Sequence, residues 1–247
     1  MSVENMNSYL YILVGIPVIL ILYFVIQYLL SIWLPSNPGD DVPNNVVKIA
    51  ENAPLSLNSS QCFPSSYSLP PESFGVSFFL YLNQINQQSA TPTMNSIFSI
   101  GKECNTDGAM INPFLNLSIA NNSSSLMMRF TPEGQDLNLT KMIEFEIDSV
   151  IPLRKPVHYF LQCMPRGNVM MINIFKNGEL IRSKSVYNPK ISSGSGGIVI
   201  QTGQSPTQNS SATSYSAQIQ RFYIFQRANE LTLQGIRDLT MDSVNFS

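Results

Sequence analysis

From Tyr9 to Leu34 the chain carries no charged residue, and no other feature restricts its folding as strongly. As a helix rising about 1.5 Å per residue, this stretch outreaches the roughly 30 Å hydrocarbon core of a bilayer. A water-soluble fold would have to bury such a rod on every side, and nothing else in the sequence has the helical periodicity to surround it. The stretch is expected to cross a membrane once. Pro17 is tolerated in a spanning helix and kinks it. Tyr9, Tyr11, Tyr28 and Trp33 lie toward its two ends, where aromatic rings favour the headgroup zone. The rival reading is a cleaved signal peptide. Against it, the apolar run is about twice an ordinary h-region, no Lys or Arg precedes it, and Pro35-Ser36-Asn37-Pro38 stands where a small-residue cleavage site would come next. Only Glu4 lies ahead of the run, with Asp40, Asp41 and Lys48 behind it, so positive-inside counting decides little. The short tail, residues 1–8, fits a signal anchor that places the C-terminal part on the non-cytosolic side.

Residues 35–71 read as a linker. Pro35, Pro38, Pro43, Pro54, Pro64, Pro70 and Pro71 prevent regular helix, with Asn and Ser between them, although Val46-Val47-Lys48-Ile49 has the pattern of an edge strand. From residue 72 to 247 the pattern is all-β. Gly75 to Leu82 alternates, with Val76, Phe78, Leu80 and Leu82 on one face, but the other carries Ser77, Phe79 and Tyr81, so both faces are covered or one is sticky. Ile97 to Ile100 is a short strand. Leu115 to Ala120 and Leu126 to Phe130 form a hairpin about a polar turn. Lys141 to Asp148 alternates, with Met142, Glu144, Glu146 and Asp148 on one face and Ile143, Phe145 and Ile147 on the other. Val157 to Met164 is apolar and central. Met170 to Lys176 meets Glu179 to Val186 through Asn177-Gly178, a pair suited to a type I′ turn because both central residues need positive φ. Gly197 to Thr202 and Ala217 to Gln226 complete the strands, and Thr232 to Leu239 reads as one short helix on the sheets. Many short strands with polar turns indicate a two-sheet antiparallel sandwich.

Composition narrows the function. Across 247 residues the net charge is -2 and 12% of residues are charged, which leaves no basic footprint for nucleic acid. Asn, Ser, Thr and Gln supply the polar surface, as suits an extracellular, lumenal or virion-surface domain. Of three cysteines, Cys163 lies in the apolar run Tyr159 to Met164 and reads as a small buried hydrophobe. Cys62 and Cys104 lie in polar, loop-like contexts and can pair in an oxidising compartment. No C-x-x-C is present, and the single histidine, His158, rules out multi-histidine metal sites. The segment Ser193 to Gly197 lacks the Lys and helix of a phosphate loop.

The order of the pieces resembles the laminin-G-like branch of the concanavalin A-like lectin/glucanase superfamily, from Phe74 to about Leu239. Phe74 to Leu82 is similar to its opening strand, and Ser96-Ile97-Phe98-Ser99-Ile100-Gly101 to its next strand. Ile151 to Tyr159 is similar to a loop normally closed by Trp, an apolar residue and His; here Pro156 stands at the tryptophan position. Met171 to Ile181, with Asn177-Gly178-Glu179-Leu180, is close to the family's hairpin and is the most specific piece. Gly197 to Ile200 and Ala217 to Leu231 are similar to the closing strands, with Ala217 where Gly is common. The resemblance implies a jelly-roll sandwich of two antiparallel sheets that binds glycans or proteins. An N-terminal anchor directly before one such domain also resembles membrane proteins of large DNA virus particles, and implies a virion membrane and capsid proteins as alternative setting and partners.

Several residues are candidates for chemistry. Glu144, Glu146 and Asp148 alternate on one strand, and the related glucanases carry catalytic carboxylates on a strand as E-x-D-x-E, against E-x-E-x-D here. Retaining hydrolysis needs two carboxyl groups about 5 Å apart with one pKa raised. The family's sugar-stacking tryptophans are missing, since Trp33 lies in the anchor. The polar face of an amphipathic strand is the better reading. Calcium, which the resemblance allows, has Asp107, Asp136 and Asp148 as loose candidates without a D-x-D-x-D loop, so no cofactor is expected. His158 and Cys163 fall on opposite faces of one strand, which opposes a cysteine nucleophile. Sequons begin at Asn58, Asn116, Asn121, Asn122, Asn138, Asn209 and Asn245; Asn116 lies within a strand and is the poorest acceptor. The expectation is a single-pass, membrane-anchored, non-enzymatic module contacting a glycan or protein through the rim loops Gln84 to Asn95, Lys102 to Pro113 and Thr202 to Ser214, near Asn86, Asp107 and Gln204. The alternatives are a structural virion protein linking an inner membrane to a capsid shell and a glycan hydrolase using Glu144 and Asp148.

Overall fold

A computed structural model of the chain describes residues 17–18, 22–23, 25, 45–65, 73–85, 94–111, 113–120, 124–130, 143–187, 197–203, 216–228, 231–241, 244 and 246. The expected membrane span, 9–34, falls mostly outside them. Pro17, Val18, Leu22, Tyr23 and Val25 are helical, and among the described residues no helix is long and apolar enough to cross a membrane.

The strands, in chain order, are β1 (Asn45–Ile49), β2 (Leu55–Ser56), β3 (Gln61–Pro64), β4 (Phe74–Gln84), β5 (Met94–Gly101), β6 (Glu103–Cys104), β7 (Met110–Ile111), β8 (Leu115–Ala120), β9 (Ser125–Phe130), β10 (Ile143–Asp148), β11 (Pro156–Arg166), β12 (Val169–Lys176), β13 (Glu179–Tyr187), β14 (Val199–Thr202) and β15 (Ser216–Gln226), after which comes a helix, α1 (Leu233–Asp238). A seven-stranded sheet runs β1-β15-β4-β11-β12-β13, with β2 also on β15. A six-stranded sheet runs β10-β9-β8-β5-β14-β3, and β6 and β7 form a small third sheet. The strand-to-strand pairings are antiparallel. Asn177 and Gly178 close the β12–β13 hairpin with φ of 50° and 79°, the two positive values that a type I′ turn demands.

Residues 45–64 correct the linker reading. The prolines there bound strands: β1, the edge strand expected from Val46-Val47-Lys48-Ile49, and β2 extend the seven-stranded sheet, and β3 edges the six-stranded one. The compact unit therefore begins at Pro43, well before residue 72. Proline is compatible with sheet edges and strand ends, where no ladder N–H is lost, and Pro64 ends β3 in this way.

Phe98 of the six-stranded sheet fills the space between the sheets. Its ring meets Phe78 at 5.4 Å and Phe222 at 5.0 Å, both edge-on, while Phe78 stacks on Tyr159 at 5.7 Å. Around them Val76, Leu80, Ile100, Leu117, Met128, Leu161 and Ile172 are fully buried. A second apolar group lies outside this core, on the other face of the seven-stranded sheet: Phe79, Phe160, Phe175, Phe225, Ala228, Leu231, Ile236 and Leu239 are all buried. The segment after β15 provides its cover. A Cβ on Gly75 would meet Phe160 at 2.8 Å and Ala228 at 3.1 Å, so that glycine lets the chain close down on the sheet. Helix α1 starts on Thr232, whose hydroxyl accepts from the Gly235 N–H at 3.0 Å. It turns Ile236 inward and sets Arg237 against Gly178 of the hairpin. The second face, which carries Phe79 and Tyr81, is covered by the C-terminal segment, where Phe246 stacks on Tyr81 at 5.1 Å.

Candidate binding face

The six-stranded sheet turns Leu115, Leu117 and Ile119 of β8 into the core, so Asn116 and Ser118 point the other way. The strand register aligns such outward residues into one polar row. Cys62 pairs with Gln201, Gln201 with Ser99, Ser99 with Asn116, Asn116 with Arg129, and Arg129 with Glu144. The adjacent row holds Ser96, Ser118, Met127 and Glu146. Gln201 and Ser99 are buried, Asn116 and Arg129 are half-buried, and Glu144 is exposed. The row thus opens to solvent from the β14 side toward β10.

Hydrogen bonds fix most of it. Asn116 Nδ2 donates to Ser99 Oγ at 2.7 Å and Ser96 Oγ at 3.1 Å. Arg129 Nε donates to Glu144 Oε2 at 2.6 Å. At the buried end, Gln201 Nε2 donates to Ser60 Oγ at 2.8 Å and to the Gly108 carbonyl at 3.1 Å, while its Oε1 accepts from the Met110 N–H at 2.9 Å. These bonds hold the β6–β7 turn, and the Cys62–Cys104 disulfide ties β6 to β3.

The three strand carboxylates do not form one set. A bulge between Glu146 and Asp148 breaks the alternation, because one additional residue reverses the facing of those after it. Asp148 instead joins the two sheets at their edge: its Oδ2 accepts from the Tyr159 hydroxyl at 2.7 Å and from Lys176 Nζ at 2.6 Å. Burial, and then the Asp148 carboxylate, push the Tyr159 phenol far above its ordinary range. Glu144 is held by Arg129. Glu146 remains half-buried on the outer face, and its carbonyl accepts from Arg182 Nη1. A retaining hydrolase pair requires two carboxyl groups facing one space; here Asp148 is drawn between the sheets.

Of the rim positions, Asp107 lies exposed in the β6–β7 turn, where its N–H and that of Ala109 donate to Asn105 Oδ1 at 3.1 and 2.7 Å. Asn86, Gln204, Asp136, Asn121, Asn122, Asn138 and Asn209 lie outside the described residues. Asn58 is exposed in the turn after β2. Among the described residues no group of three or more His, Cys, Asp or Glu side chains is placed to hold a metal ion. His158 is buried on the covered face of the seven-stranded sheet, with Nε2 at 2.8 Å from Ser77 Oγ, its ring 4.8 Å from Phe79, and Nδ1 without a partner among the described residues. Burial lowers its pKa to about 3. Cys163 faces the inter-sheet core, where burial raises its thiol pKa. The two lie on opposite faces, as their spacing predicts.

The polar row was not among the sites expected from the sequence. Its signal is present strand by strand, as Asn116 and Ser118 among leucines and Arg129 inside Leu126 to Phe130. What joins those residues is the register, which no single segment contains.

No protein-family model matches the chain, and no curated protein matches it. Its fold is similar to solved structures. The binding domain of botulinum neurotoxin serotype D superposes with a TM-score of 0.50 at 18% identity, over 82% of this chain and 44% of that one. A Ruminococcus gnavus IT-sialidase CBM40 bound to alpha2,3 sialyllactose gives 0.49 at 15% identity, over 76% and 97%. An endo-beta-1,4-glucuronan lyase from the fungus Trichoderma reesei gives 0.48 at 13%, over 76% and 89%. The chain spans less than half the length of the toxin binding domain. At these identities the likeness is one of fold alone, a sandwich of two antiparallel sheets.

Proposed function

We propose that this chain is a membrane-anchored, non-enzymatic recognition module that binds a glycan on the outer face of its six-stranded sheet. The observation that carries this reading is the register-aligned row of hydroxyl, amide and charged groups from Ser99 through Asn116 and Arg129 to Glu144. Sugars present donors and acceptors together. Asn116 and the Arg129–Glu144 pair answer with both, and they are anchored on rigid strands rather than mobile loops. The toxin binding domain, of similar fold, is itself named as a binding module. In this reading the charge-free run Tyr9 to Leu34 is the anchor and the sandwich lies on the non-cytosolic side.

The test is direct. Full-length protein in detergent micelles is applied to a glycan array and the best ligand is titrated by calorimetry. Asn116→Ala and Arg129→Ala are each expected to weaken binding about tenfold or more, equivalent to ~1.4 kcal/mol, with unchanged circular dichroism. Binding indifferent to both substitutions would move the site to the rim loops around Asp107; no binding to any glycan would end the proposal.

A further inference from the structure

We infer that the outer face of the six-stranded sheet selects uncharged, hydroxyl-rich sugars and discriminates against sugars bearing a carboxylate. This rests on the glycan-binding reading above and narrows it to a ligand class. Three observations converge on it. First, the cation on the open part of the face is already matched: Arg129 Nε lies 2.6 Å from Glu144 Oε2, with the two side chains about equally exposed at 35% and 33%. Second, a further carboxylate stands beside that pair. Glu146 is one outward position along β10, opposite Met127, with no hydrogen-bond or ion-pair partner for its carboxylate among the described residues. Third, among the described residues the nearby cations Lys176 and Arg182 have partners of their own. Lys176 binds Asp148 between the sheets, and Arg182 donates to the Glu146 carbonyl oxygen.

An anionic sugar would have to take Arg129 from Glu144 and then sit against Glu146. Like charges brought together in an interface act against binding, and a buried carboxylate needs a paired cation. A neutral sugar meets no such opposition. Its hydroxyls can donate to Glu144 and Glu146 and accept from the Arg129 terminal N–H groups, since the Glu144 contact uses only Nε of that fork. Between these groups, half-buried Met127 offers an apolar surface for the C–H face of a sugar ring. The chain's only tryptophan, Trp33, lies in the anchor stretch, so no tryptophan adds a stacking ring to this face.

The experiment uses full-length protein in detergent micelles and pairs of soluble oligosaccharides differing only by a terminal sialic or uronic acid. Wild type is expected to bind the neutral member about tenfold or more tightly than its acidic partner. The near-isosteric double variant Glu144→Gln, Glu146→Gln frees Arg129 and removes both negative charges, so the preference should shrink to about parity or reverse. A purely structural role for the two glutamates would weaken both members alike and leave the ratio unchanged, which overturns the inference. Preference of the wild type for acidic sugars also overturns it, yet leaves the glycan-binding reading standing. Failure to bind either member of any pair removes both.

Discussion

The two sheets of the sandwich share one core but treat their second faces in opposite ways. The seven-stranded sheet is covered on both sides: Phe79, Phe160, Phe175 and Phe225 lie beneath the C-terminal segment, and β4 and β11 accordingly read as almost unbroken apolar runs. The six-stranded sheet has a polar outer face, buried at Ser96, Ser99 and Ser118 and open at its β9–β10 end, and β8 and β10 alternate as LNLSIA and IEFEID. A strand apolar on both faces is one that will be roofed; a strand that alternates is one left to meet water or a ligand. Stability is thus concentrated on one sheet and surface chemistry on the other.

The largest expected effect lies under the roof. Phe160→Ala should cost about 3–5 kcal/mol, as emptying a fully buried aromatic site does. Met127→Ala, an outward residue of comparable reach on the open sheet, should cost less than about 1 kcal/mol, because it is half-buried and water fills the space. Denaturant unfolding of the two variants in detergent micelles, monitored by far-UV circular dichroism, measures the contrast. Equal losses would mean that the outer face of the six-stranded sheet is also a packed layer, and the proposed binding face would go with that result.

The same contrast explains what the sequence made readable. Alternation exposed β10, a polar turn marked the β8–β9 hairpin, and Asn177-Gly178 marked the β12–β13 one, since a local rule governs each. The doubled apolar faces of β4 left a cover or a sticky face as alternatives, and buried Leu231 and Ile236 belong to a cover. Two things escaped. Beyond β1, which Val46 to Ile49 had marked, residues 50–64 read as linker because their strands are short and bounded by proline; they are held by long-range partners, such as β3 by β14 and the disulfide to Cys104. Asp148 read as one of three aligned carboxylates because alternation assumes an unbroken ladder, and the bulge before it is visible only once β9 is placed opposite. The proposed binding face likewise depends on register across β14, β5, β8, β9 and β10. Strand content is a local property; a cross-strand row belongs to the sheet.

A smaller effect is expected at the far edge of the open sheet. The Cys62–Cys104 bond spans 42 residues and holds β6 to β3, alongside the Gln201 and Ser60 bonds to Gly108. The double variant Cys62→Ser, Cys104→Ser should lose about 2–4 kcal/mol. Amide hydrogen exchange should then accelerate in β3, β6 and β7, while β11 and β12 of the roofed sheet stay protected. Deprotection spreading evenly over both sheets would show that the disulfide supports the whole sandwich rather than this edge.

The smallest effect, and the one that probes the roof most selectively, is a pH slope. His158 sits neutral on the covered face of the seven-stranded sheet with its pKa lowered by burial to about 3, against 6.5 for an unperturbed histidine. Between those values the unfolded chain binds a proton that the folded chain does not. The histidine's contribution is therefore fully present above about pH 6.5 and is lost as pH falls, by at most about 1.4 kcal/mol per pH unit. Carboxylates also titrate in the lower part of this window, so the informative quantity is the difference between wild type and His158→Gln, whose amide can still reach Ser77. If the roof keeps the imidazole dry, the wild-type midpoint should fall faster than that of the variant between about pH 6.5 and 5.5, before most carboxylates contribute. Parallel curves would mean that His158 gains its proton without unfolding, and hence that the C-terminal segment opens far more readily than a layer carrying Phe160, Phe175 and Phe225 should.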